Sequence, residues 1–363
     1  MSPRSLATLA TLVSLLAPAA TACGPAPSPT PSPNPSASGS AQTPNPARPG
    51  AAPSRPADGA SAWKTQGTIA RGITSGPHAL FVRDAYTAFT AGNAGEILKT
   101  TDGGASAMRM DTDGVTDALY GITFSDTRTG WAVGELGRVL RTRDGGDTWQ
   151  PVELFDGDDL RLRLHLTDVT ASGPFMCMVG WYGLIAVSRD AGDSWTILST
   201  DLPNLHHATL PEPGHGWIVG DGGTILVTED GLHWSYQPSN VKENLNGVYF
   251  RPNDARNGWI VGDHGTVLHT TNGVEWIPIH VGTTAQLRAV QFADENHGWI
   301  VGESGTIVTT SDSGQTWTPQ TGSTMVPLEA VGMASPSEGW VVGADPGRNA
   351  ALGIILHTSS GGR

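Results

Sequence analysis

The sequence predicts an all-β fold: a seven-bladed β-propeller of four-stranded blades, closed by an N-terminal strand. Three observations carry this. A tryptophan-rich phrase recurs as "GWAVGELGRVLRTRDGGDTW" from 130, "GWIVGDGGTILVTEDGLHW" from 216, "GWIVGDHGTVLHTTNGVEW" from 258 and "GWIVGESGTIVTTSDSGQTW" from 298. The Gly closing its "VG" element falls at 92, 134, 180, 220, 262, 302 and 343, in steps of 42, 46, 40, 42, 40 and 41. Such a period with four short β segments marks a propeller blade, and seven such Gly give seven blades. Finally, the last unit ends "HTSSGGR" without its Trp, while "SAWKTQ" offers Trp63 in that role. An N-terminal strand completing the last blade would leave no open edge.

Taken in order, the chain begins with an export signal over 1–22. Arg4 is its basic region, and "SLATLATLVSLLAPAA" is its apolar core, too short to span a bilayer. Ala20 and Ala22 suit cleavage before Cys23 by an ordinary signal peptidase. Cys23 itself suits a lipoprotein signal, with the thiol acylated and the chain anchored to a membrane. Residues 23–60 are Pro, Ala, Ser and Gly with almost no large apolar residue, a composition that reads as a disordered tether. The propeller is expected over 61–363.

Each blade reads alike. An inner strand follows L-x-x-V-x-F, as in Leu245, Val248 and Phe250. "GWIVG" comes next, then a Gly turn, a third strand, and a tight Asp-Gly or Asn-Gly turn before a Trp that opens the fourth strand. Trp131, Trp217, Trp259, Trp299 and Trp340 sit at "GW", and Trp149, Trp195, Trp234, Trp276 and Trp317 follow the tight turn. A buried Trp removes roughly 150–250 Å² from water, worth ~4–6 kcal/mol before entropy, so these indoles are expected to pack strands and blades together. Ala107 stands where the first blade should have its Trp. Cys177, in the strand-like "FMCMVG", reads as a small core residue.

The hairpins "TRDGGDTW" (142–149), "SRDAGDSW" (188–195) and "TSDSGQTW" (310–317) look like the Asp-box, or bacterial neuraminidase repeat, in which Asp144, Asp190 or Asp312 bonds the N–H groups of its own turn. The whole unit, "GWIVG" through "DGG.TW", resembles the photosystem II assembly and stability factor family over about 61–363. That resemblance implies a seven-bladed, exported, non-catalytic module that binds a membrane protein or its precursor during assembly. It further implies an Arg-rich surface facing the partner, for which this chain offers Arg138, Arg141, Arg143, Arg161 and Arg163.

Repetition also separates scaffold from site. A residue present in every blade is structural, and one that breaks the pattern needs another reason. Glu135, Asp221, Asp263 and Glu303 all follow "VG", so turn chemistry is expected to explain them. A glycosidase needs two carboxylates about 5–10 Å apart with opposed pKa values. A sialidase-like enzyme also wants an Arg triad and a Tyr nucleophile, and the chain has only five Tyr and no Arg-Ile-Pro element. The expectation is therefore no catalysis, with a glycan-active or glycan-binding Asp-box propeller as the alternative.

Three irregularities fall on one face. The loop after Trp149 is long and carries "FDGDDLRLR" with Arg161 and Arg163; the third blade has "VGWYG", placing Trp181 and Tyr182 at a turn; and the last blade expands that turn to "VGADPGRNAALG" with Arg348. An Arg pair beside an unpatterned Trp-Tyr suits a protein-binding hot spot. One inner-strand position reads His78, Tyr120, Thr167, His206, Asn246, Arg288 and Glu329, candidates for the rim of a central channel. "DGDD" is weak as a Ca²⁺ loop. His206 and His207 are adjacent and point to opposite faces, so no zinc site is expected. No cofactor is expected either. The formal net charge of −13 argues against a nucleic-acid coat. The expected partner is a protein, bound by a monomeric propeller.

Overall fold

A computed structural model describes residues 63–65, 76–155, 163–198, 202–320, 324–345 and 352–362. All lie in the compact unit Asp58–Arg363. They form seven four-stranded antiparallel sheets, six of them blades built from four successive segments and the seventh from the last three strands and the first. Blade 3 is representative: Leu166–Ser172 is innermost, followed outward by Phe175–Gly180, Ile185–Ser188 and Thr196–Leu198. The other inner strands are Pro77–Val82, Leu119–Phe124, Leu205–Glu212, Leu245–Phe250, Leu287–Phe292 and Leu328–Met333. In blade 7 the outermost strand is Lys64–Thr65, which pairs Lys64 with His357 and Thr65 with Leu356. The N-terminal strand therefore closes the ring as the sequence predicts. Trp63 is 1 % exposed, and its indole N–H donates to Gln320 Oε1 of blade 6 at 2.7 Å.

One apolar cluster fills each blade interface. Trp131 and Val133 of blade 2 meet Leu166, Val169 and Met176 of blade 3. Trp217 of blade 4 stacks on Phe250 of blade 5 with ring centroids 3.7 Å apart, and Phe250 in turn meets Trp276 edge-on at 5.7 Å. Trp259, Phe292 and Trp317 repeat the arrangement between blades 5 and 6. The "GW" indoles are wholly buried, whereas Trp195, Trp234 and Trp317 after the tight turn are only half-buried, because they cap the outer end of the interface.

Two blades lack the "GW" indole. Phe89 replaces it in blade 1 and packs on Phe124. Cys177 replaces it in blade 3, fully buried, and burial pushes its thiol pKa up. Volume is conserved around it. In blades 2, 5 and 6 the Gly before the Trp leaves room for the Phe paired with it; in blade 3 the large and small partners exchange, as Met176 opposite Ala171. At Ala107 no neighbour compensates, and a small apolar hollow of about 20 Å³ remains between Leu80, Leu98, Trp340 and Ile355.

The tight turns explain their own composition. Asp190 Oδ1 accepts the backbone N–H of Ser194 at 2.8 Å and the hydroxyl of Ser188 at 2.8 Å, while Oδ2 accepts the Ser194 hydroxyl at 2.6 Å. Asp102, Asp144 and Asp312 do the same in their blades, and Asn272 accepts two turn N–H groups. Gly192 follows with φ +84°, and a Cβ there would lie 2.2 Å from the Trp131 ring of the preceding blade. The turn is thus glycine both for its left-handed backbone and for the indole beneath it.

Gly192→Ala should cost about 2–4 kcal/mol in urea unfolding, combining left-handed strain with overpacking against Trp131. Gly222→Ala, with φ +64° and open space around it, should cost only about 1 kcal/mol. Equal losses would show that the indole contact adds nothing.

The hydrogen bonds from Ser194 hold the Asp190 carboxyl down to a pKa of about 2, against about 3.9 in an unfolded chain. Its stabilisation is present above the unfolded value and is lost as pH falls through the folded one. Urea midpoints for Asp190→Asn should therefore decline less steeply than wild type between about pH 4 and 2.

Candidate functional site: the channel mouth and its rim

On the face where chains enter the inner strands, six blades carry one short 3-10 turn each among the described residues: Asn93–Gly95, Glu135–Gly137, Trp181–Gly183, Asp221–Gly223, Asp263–Gly265 and Glu303–Gly305. We call this the upper face; the Asp turns lie on the lower one. The first residue of each turn donates its backbone N–H to a carbonyl just before the inner strand, as Trp181 does to His165 at 3.0 Å and Asp221 to Asn204 at 3.0 Å. The second residue is left-handed in every case, with φ between 53° and 64°. Gly222 adopts that backbone without strain; Leu136 and Tyr182 do not.

The turn acids do more than the sequence suggested. The N-cap of each of these turns is a Gly, which has no side chain to cap it. Each carboxylate instead reaches the inner-strand residue of its own blade. Tyr120 donates to Glu135 Oε1 at 3.1 Å, His206 Nε2 lies 2.9 Å from Asp221 Oδ1, Asn246 donates to Asp263 Oδ1 at 2.9 Å, and Arg288 meets Glu303 at 3.5 Å. Blade 1 has a neutral version, His78 Nε2 to Asn93 Oδ1 at 2.9 Å. Explaining Glu135, Asp221, Asp263 and Glu303 by turn chemistry alone is thus corrected: in five blades the inner-strand residue and the turn residue form a polar pair.

Contacts also run around the ring. The His78 and Tyr120 rings are 5.0 Å apart, Thr167 donates to the Leu205 carbonyl at 2.7 Å, Asn246 donates to the Leu287 carbonyl at 2.9 Å, and Arg288 lies 3.7 Å from Glu329. Burial and Glu135 raise the Tyr120 pKa to about 12. Just below the mouth, five blades have Ala79, Gly121, Gly247, Ala289 or Ala330, whereas blades 3 and 4 have Asp168 and His207, 3.6 Å apart. The sequence pattern marked the rim but not this pair, which only lining up the inner strands reveals.

Blade 3 breaks the ring. Trp181 stands where the others carry Asn or an acid. It is 41 % exposed and stacks on His165 with centroids 4.2 Å apart and planes 13° apart. Tyr182 beside it is 68 % exposed. Arg163 is exposed and stands two residues before the His165 on which Trp181 stacks. Arg161, the "DGDD" run, Arg348 and Cys23 lie outside the described residues.

The expected Arg cluster does not come together as one patch. Arg138 lies at the upper end of its strand, with Nε 2.7 Å from Asp117 Oδ2. Arg141 and Arg143 lie at the lower end, where both meet Asp193 of blade 3, at 2.7 and 3.3 Å, and Arg141 also covers the Trp131 ring. The strand runs from one face to the other, so neighbours in sequence are parted. Among the described residues there is no group of three or more His, Cys, Asp or Glu placed to hold a metal ion.

Fold and rim together define a seven-bladed propeller with a polar channel mouth and one aromatic interruption. The family model for photosynthesis system II assembly factor YCF48 matches residues 105–208, 203–280 and 273–363, and the chain belongs to that family. A structure of YCF48 bound to D1 peptide is similar at 20 % identity and TM-score 0.65, covering 84 % of this chain and 99 % of that one. YCF48 from Cyanidioschyzon merolae is similar at 18 % identity and TM-score 0.66, covering 82 % and 99 %. The WD40 propeller of Doa1 shares the fold at 9 % identity and TM-score 0.63, covering 83 % and 98 %. No curated protein sequence matches the chain.

Tyr182→Gly should raise stability by about 0.5–1 kcal/mol in urea unfolding, because glycine accepts the left-handed backbone freely. A loss of stability instead would mean that the exposed ring packs on the fold.

Proposed function

We propose that this chain is an exported, non-catalytic protein-binding propeller. It would act at the cell envelope in assembling or stabilising a membrane protein complex, held to the membrane through Cys23. Membership of the YCF48 family carries the reading. The related structure described as bound to D1 peptide adds a precedent for a peptide as ligand on this fold. Within the chain, the observation that favours recognition is the exposed Trp181–Tyr182 pair, on a turn whose first residue is otherwise Asn or an acid and whose second is otherwise Ala, Leu, Gly, His or Ser. Aromatic side chains at a rigid, exposed turn are the usual anchors of protein interfaces. The repeated acids have partners within the fold: the Asp-turn carboxylates bind their own turns, and the rim acids pair with inner-strand side chains.

With a photo-reactive amino acid at position 182 of the full chain, native membranes should yield a discrete cross-linked product containing an integral membrane protein. The same probe at Ile277, exposed on the outer strand of blade 5, should yield none. Purified full chain should not hydrolyse fluorogenic glycosides. Turnover abolished by changing one acidic residue would overturn the non-catalytic reading.

A further inference from the structure

We propose that the upper face over blades 2 to 4 binds a basic, extended peptide segment of its partner, anchored by an apolar side chain on Leu136, Trp181 and Tyr182. The proposal rests on the protein-binding reading and adds the chemistry of the ligand.

The anchor is confined to two neighbouring blades. At the second turn position Leu136 and Tyr182 are 56 % and 68 % exposed, where the other blades have Ala94, Gly222, His264 and Ser304. Both hold a bulky side chain on a left-handed backbone that glycine takes for nothing in blade 4. A strained, exposed, apolar residue in two adjacent blades is poorly explained by stability and well explained by contact with a ligand.

Charge selects the ligand. Trp181 stands between Glu135 of blade 2 and Asp221 of blade 4 at the same turn position, with Asp263 one blade further on. The partners of these carboxylates within the rim are a phenol, an imidazole and amides: Tyr120, His206, Asn204 and Asn246. They orient the acids without supplying a fixed positive charge. Two cations of this face are matched: Arg138 is paired with Asp117, and Arg288 faces both Glu303 and Glu329. Among the described residues Arg163 and Lys242 are the exposed positive charges on this side of the rim, against the three carboxylates of Glu135, Asp221 and Asp263. An aromatic platform flanked by carboxylates favours Lys and Arg, through cation–π attraction and through potential. An Arg-rich surface, as the family resemblance implied, would favour the opposite charge.

The test uses the folded full chain and two fluorescein-labelled short peptides of identical apolar anchor, one flanked by Lys and one by Glu, followed by anisotropy. The Lys-flanked peptide should bind at least about tenfold more tightly at about 0.05 M salt, and its advantage should shrink at about 0.5 M, where exposed charges are screened. Trp181→Ala with Tyr182→Ala should weaken it further. Glu135→Gln with Asp221→Asn and Asp263→Asn should remove the preference for Lys, while Arg163→Glu should increase it. Circular dichroism would confirm that each variant folds. Equal or tighter binding of the Glu-flanked peptide overturns the proposal, and so does failure of both peptides to bind. Cross-linking from position 182 in native membranes separates the two readings. A retained product with no preference for Lys sinks only the charge assignment, whereas loss of the product sinks the protein-binding reading as well.

Discussion

The structure depends on one contact repeated around a ring: an aromatic ring of one blade under the tight turn and inner-strand side chains of the next. Gly146 sits over Phe89, Gly192 over Trp131, Gly273 over Trp217, Gly314 over Trp259 and Gly361 over Trp299. The indole N–H groups of Trp131, Trp217, Trp259 and Trp340 find no acceptor among the described residues, while Trp299 bonds the Gly361 carbonyl at 3.2 Å. Shape, rather than hydrogen bonding, therefore holds most wedges together. The turn must be glycine to approach so closely, and the Asp or Asn before it must tie down a backbone that glycine alone would leave free. Both requirements fall in one short segment, and that is why the segment recurs.

Closure follows from the same contact. A blade satisfies its "GW" aromatic only through the following blade, so an open array would expose one such face. Blade 7 turns Trp340 toward Leu80, Val82, Ala88 and Ala107 of blade 1, and receives its own outer strand from Lys64–Thr65. Once the ring is closed, the strands have no freedom left for recognition. The loops of the upper face retain it, because their only fixed demand is the backbone bond from turn to inner strand.

Blade count, strand order, the closing strand and the burial of the "GW" indoles were legible in the sequence, because each is a repeat and each rests on local packing. The rim was legible for a related reason. One inner-strand position varies through His78, Tyr120, Thr167, His206, Asn246, Arg288 and Glu329, while the position before it is Leu in six of seven blades and the one after it is Ala or Gly in five. The pairing of these residues with the turn acids was not. Partners 15 to 17 residues apart meet across an antiparallel pair with a bulge, a register that composition does not reveal. Arg138, Arg141 and Arg143 misled for the opposite reason: closeness in sequence suggests a patch, but a strand crossing the whole blade carries its ends to opposite faces.

Blade 3 shows what redundancy permits. It has Cys177 where five blades have Trp, and Ala171 opposite Met176 where others pair Phe with Gly. Its inner strand carries Asp168 where five blades have Ala or Gly, and its upper turn presents Trp181 where its neighbours place acids. A single-core fold would tolerate so many departures poorly. Here each interface is packed by its own cluster, so departures in blade 3 touch its two interfaces and leave the other five to maintain the ring. The blade least like the consensus is therefore the one where a surface can specialise. In this chain it is also the blade that exposes a tryptophan instead of burying one.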